Sequence, residues 1–79
     1  MKIVVDEKSD KVIDLALDMR DIVRIGSING DVVIETKTAE YVLKDVSKHE
    51  NVYAIRYGDT VATFWNYSKL QYLIDKYLG

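Results

Sequence analysis

The dipeptide Asn29-Gly30, set between the β-branched runs of IVRIGSINGDVVIET, constrains this chain more than any other feature. A two-residue type I′ turn needs positive φ at both central positions, which Asn and Gly tolerate, and its twist matches that of the strands it joins. A β-hairpin is therefore expected. Pairing outward from Ile28 with Asp31 sets Ile25 opposite Ile34 and Arg24 opposite Glu35. In that register an apolar pair falls on one face and opposite charges meet on the other.

A second hairpin is expected in VYAIRYGDTVATFW, where Gly58-Asp59 suits a type II′ turn with glycine at its first central position. Alternation then collects Tyr53, Ile55, Tyr57, Ala62 and Phe64 on one face, which reads as core. Val52, Arg56, Thr63 and Trp65 take the other. Between the hairpins, EYVLKDV (40–46) reads as a further strand on its β-branched and aromatic content, with a short helix as the alternative. The polar loop SKHEN leads on from it.

The last element reads as a helix over 68–78. Leu70, Leu73, Ile74, Tyr77 and Leu78 repeat at i, i+3, i+4, i+7 and i+8, and Gly79 stands where a C-terminal glycine belongs. Ser68 with Gln71 forms the S-x-x-Q pattern of a capping box, and Tyr67 and Tyr72 occupy the flanking staple positions. Such a helix must cover an apolar sheet face.

DKVIDLALDMRD (10–21) fits two periods. As a strand it sends Ile13, Leu15, Leu17 and Met19 one way and Asp14, Asp18 and Arg20 the other. As a helix it gathers Val12, Leu15, Ala16, Met19, Ile22 and Val23 into a stripe, with Asp10, Asp14, Asp18 and Asp21 on the opposite ridge. Leu, Ala, Met and Arg favour the helix, as do Ser9 as a cap and Asp10 in the first turn. Repulsion between like charges at i, i+4 costs only about 0.2–0.5 kcal/mol per pair. A helix over 10–20 is therefore expected. The alternative makes KIVVD and this segment a third hairpin around DEKSD, giving a seven-strand meander closed by the C-terminal helix.

The expected fold class is α+β: one domain over 1–79, an antiparallel meander of about four to six strands with two helices against one face. With 79 residues there is room for one core, and no cysteine supplements it with a disulfide or a thiolate metal site. No apolar run approaches the roughly 20 residues that cross a bilayer, and MKIVVDEKSD turns acidic too early for a secretory signal, so a cytoplasmic protein is expected.

The sequence offers little for catalysis. His49 is the only histidine, with no nucleophile at a recognisable spacing. GSING is explained by a turn between strands, and Asp6-Glu7 reads as a solvated surface turn. No catalytic residue, metal site or cofactor is expected. The net charge is −2 and the lysines and arginines are scattered from Lys2 to Lys76, so direct nucleic-acid binding is not expected either.

Two interaction surfaces remain. The ridge Asp10, Asp14, Asp18 and Asp21 would steer and hold a basic protein, which makes the chain a small acidic modulator or inhibitor, for example of a nucleic-acid-binding protein. Its lysine-, tyrosine- and isoleucine-rich composition suits a bacterial or phage gene product. Trp65, if exposed beside Arg56 and Val61, would be the anchor of a protein contact or a dimer seam. Alternative functions are a self-associating structural subunit and a nucleic-acid-associated regulator.

Overall fold

The computed structural model describes residues 1–6, 12–44, 46 and 51–79. They form an α+β domain of seven strands in two mixed sheets with one C-terminal helix. The strands are β1 (Lys2–Val5), β2 (Val12–Asp18), β3 (Ile22–Ile28), β4 (Asp31–Thr36), β5 (Glu40–Leu43), β6 (Val52–Tyr57) and β7 (Thr60–Phe64). A 3-10 turn, Met19–Asp21, joins β2 to β3, and α1 covers Tyr67–Leu78. One sheet has the order β1-β5-β4-β3 and the other β2-β6-β7. Among the described residues no helix is long and apolar enough to cross a membrane.

Both expected hairpins form. Ile28 pairs with Asp31, Ile25 with Ile34 and Arg24 with Glu35, and an Arg24–Glu35 ion pair closes the polar side. Asn29 and Gly30 both have positive φ, 52° and 85°, as a type I′ turn demands. In the second hairpin only Gly58 does, at 60°, which is the type II′ pattern. The turn from β4 to β5 is closed by Thr36, whose hydroxyl donates to the Ala39 carbonyl at 3.0 Å and accepts from the Ala39 N–H at 3.1 Å.

The helix expected over 10–20 is absent from its described part, which is β2 followed by the 3-10 turn, so the described residues hold one α-helix rather than two and more strands than expected. The burial pattern gives the reason. Leu15, Leu17 and Met19 are buried, whereas Val12 and Ala16, which a helical stripe would hide, are exposed. As a strand the segment sends Leu17, which the helical stripe would have left out, into the core, and pairing with β6 on either side of a bulge at 16–17 satisfies much of its backbone. Weak helix propensity yields to that gain.

The N-terminal hairpin does not form either. β1 runs parallel to β5, with Val4 beside Val42, and β2 runs parallel to β6, with Ile13 beside Tyr53. The chain thus changes sheets between β1 and β2, between β2 and β3, and again between β5 and β6, and only β3-β4-β5 and β6-β7 are meanders.

One core is shared by both sheets and the helix. Val32, Ile34 and Leu43 come from the first sheet, Leu15, Leu17, Tyr53, Ile55 and Phe64 from the second, and Leu70 and Leu73 from α1. Tyr53 is fully buried, stacks on Phe64 at 5.4 Å, and takes its polar end to Asn51 at 3.5 Å. Burying each such large apolar side chain contributes roughly 1.5–3 kcal/mol.

The helix starts earlier than the S-x-x-Q pattern implies. Its N-cap is Asn66, whose side-chain oxygen accepts from the Lys69 N–H at 2.8 Å, while Gln71 donates to Asp75 at 3.1 Å. Asn is as good a cap as Ser, and the earlier start adds two residues to the helix, whose Leu70 is fully buried in the core. At the other end Gly79 closes the helix, its N–H donating to the Asp75 carbonyl.

Candidate partner-binding surface

Asp14, Asp18 and Asp21 do not line a helical ridge, since the described part of 10–21 is a strand and a 3-10 turn. Asp10 lies outside the described residues. Asp14 stands on the outer face of β2 and pairs with Arg56 of β6 at 2.7 Å. Asp18 ends β2 and caps the 3-10 turn, accepting from the Arg20 backbone N–H at 2.9 Å and from its guanidinium at 3.0 Å on both oxygens. Asp21 is exposed at the end of that turn. In a strand, residues four apart stand about 13 Å apart along a face instead of one turn above each other, and a bulge between Leu15 and Asp18 interrupts β2 here.

Asp18 accepts once more, from the Gly58 N–H at 2.7 Å, and so ties the 3-10 turn to the β6–β7 turn. The Arg20 guanidinium and the two backbone donors hold the Asp18 carboxyl well below the usual carboxylate range, and Asp18 in turn raises the guanidinium above its ordinary value. Arg20 also lies over the Tyr57 ring at 5.4 Å, Tyr57 meets Tyr77 of α1 at 5.5 Å, and Lys76 lies over Tyr77 at 5.4 Å. This chain of contacts fastens α1 to the second hairpin.

All three arginines are engaged by carboxylates: Arg20 by Asp18, Arg24 by Glu35 and Arg56 by Asp14. Of the expected acids, Asp14 and Asp18 are thus each paired with an arginine.

The aromatic flank is open. Trp65 is 39% exposed, directly after β7, and Tyr72 is 54% exposed on α1. Between their rings lies the Lys69 ammonium, 5.4 Å from the Trp65 centroid and 4.8 Å from that of Tyr72. Lys69 and Tyr72, three residues apart, share one face of α1, and Trp65 reaches the same flank from the segment before the extended N-cap Asn66. The Lys69–Tyr72 spacing is visible in the sequence, whereas the approach of Trp65, which lies outside the helix, is not. Val61, 52% exposed, shares the outward alternation of β7 with Thr63, and Arg56 stands directly opposite Val61. Val12 is exposed on the outer side of the same sheet.

The four-stranded sheet carries a shallow hollow of about 250 Å³ at Gly26, lined by Arg24, Ile28, Val33, Glu35 and Glu40. Glu35 and Glu40 stand opposite each other in the β4–β5 register. Among the described residues no group of three or more His, Cys, Asp or Glu side chains converges as a metal site. His49 lies outside them.

Comparison with known proteins finds no matching family model, curated protein or solved structure.

Proposed function

We propose that the chain is a non-enzymatic protein–protein interaction module that acts in the cytoplasm by modulating another protein. Its docking flank is the exposed aromatic surface of Trp65 and Tyr72, continued by Val61 on the outer face of the three-stranded sheet. The observation that carries this reading is the pair of exposed rings gripping Lys69. Trp and Tyr dominate interface hot spots, and apolar surface left in water at a preorganised site gains free energy when a partner covers it.

The flank is a better candidate than the acids. Asp14 and Asp18 each already hold an arginine, so a basic partner would have to displace an existing ion pair at either place. Self-association is the competing reading, since β1, β3, β2 and β7 are the outer strands of the two sheets.

The test is a tagged pull-down comparing the parent with a Trp65→Ala, Tyr72→Ala double variant and with an Asp14→Asn, Asp18→Asn double variant. The proposal expects a protein retained by the parent and by the Asn variant but lost from the Ala variant. Equal retention by the parent and the Ala variant, or a defined homo-oligomer with nothing retained, overturns it.

A further inference from the structure

The geometry points to an acidic partner segment, a carboxylate flanked by apolar residues, seated on Lys69 between the rings of Trp65 and Tyr72. This inference rests on the interaction-module reading and adds the chemistry of the partner to it. Four observations converge on it.

Lys69 is a cation without an anion. Among the described residues no carboxylate lies within ion-pair distance of its ammonium, although Arg20, Arg24, Arg56 and Lys44 all have one. The two rings hold that ammonium in place, so an incoming carboxylate does not have to order a free lysine side chain. Lys69 also sits in the first turn of α1, where the helix carries partial positive charge, and that turn contains no acid of its own. Finally, the two rings supply apolar area on either side of the charge, which suits a segment that alternates acidic and apolar residues.

A nucleic acid would use aromatic rings and lysines too, by stacking bases and pairing phosphates. The charge distribution disfavours it. The net charge is −2, and every arginine is already held by a carboxylate, so few counterions would be released.

Trp65 is the only tryptophan and reports on its own surroundings. The experiment titrates the full chain with a short synthetic peptide of alternating glutamate and leucine, with its lysine–leucine counterpart, and with oligo-dT, at low and high salt. The expected result is a blue shift of Trp65 emission with the glutamate peptide alone, weakened by salt. Lys69→Gln should reduce that affinity about three- to fivefold, the effect of losing one exposed charge pair, with an unchanged far-ultraviolet circular dichroism spectrum. Equal binding of both peptides, no effect of Lys69→Gln, tighter binding of oligo-dT, or a Trp65 shift caused by concentrating the protein alone each overturns the inference. If it fails while the Trp65→Ala, Tyr72→Ala variant still loses its partner in the pull-down, the interaction module stands with a partner of other chemistry. If that loss is also absent, both readings fall.

Discussion

The Asp18 carboxylate accepts a hydrogen bond of 2.7 Å from the Gly58 backbone N–H, 40 residues further along the chain. Together with the Arg20 contacts, this makes one side chain the junction of β2, the 3-10 turn and the β6–β7 hairpin.

The pH dependence follows from the sign of the shift. The folded-state pKa of Asp18 is depressed, so its stabilisation is fully present above the unfolded value of about 3.9 and is lost as pH falls toward the lower folded value. Asp18→Asn should lower Tm at neutral pH, and the gap between variant and parent should narrow below about pH 4. Thermal melts across the acid range measure it; a gap that stays constant to the lowest pH counts against the junction.

The strand assignment of 12–18 has its own mutational signature. Leu17 is 6% exposed, although the helical stripe would leave it out, and Val12 is 60% exposed, although that stripe would bury it. Leu17→Ala should cost about 2–5 kcal/mol, whereas Val12→Ala should stay within about 0.5 kcal/mol. Urea denaturation of the two variants distinguishes the patterns.

The helix cap can be located in the same way. Asn66→Ala removes the acceptor of the Lys69 N–H and should cost about 1 kcal/mol. Ser68→Ala, at an exposed position inside the first turn, should change stability by less than about 0.5 kcal/mol. The reverse order would restore the S-x-x-Q cap.

Gly26 offers a stabilising substitution. Its φ is not positive, and a Cβ built there meets nothing within 4 Å. Gly26→Ala should therefore raise stability by about 0.4–1 kcal/mol, chiefly by restricting the unfolded chain. A fall in chemical-denaturation stability would mean that the backbone at β3 needs a freedom its conformation does not reveal.

What was legible in the sequence was local. Asn29-Gly30 and Gly58-Asp59 specify their hairpins within a few residues, and the Leu70, Leu73, Ile74 repeat specifies α1. The pairings of β1 and β2 were not legible, because their partners Glu40–Leu43 and Val52–Tyr57 lie far along the chain and a parallel pair leaves no turn signature. The ambiguity of 10–21 was real at the level of periodicity and was decided by β6, a neighbour that no local window contains. The candidate surface divided in the same way. The exposure of Trp65 depended on what covers the outer face of its sheet, and its approach to Lys69 follows from the path of the chain before the cap Asn66, which no helical spacing encodes.

The parallel pairs also set an order of events during synthesis. Lys2 is matched to Glu40 and Val12 to Val52, so the two strands made first must wait for roughly half the chain before either finds its neighbour. Meanwhile the β3–β4 hairpin, whose contacts are close in sequence, can already close. Until β6 leaves the ribosome, the row Ile13, Leu15 and Leu17 has no strand beside it. A nascent chain halted before residue 52 would thus present bare apolar strands to chaperones and proteases, and quality control would read an interrupted copy very differently from a finished one.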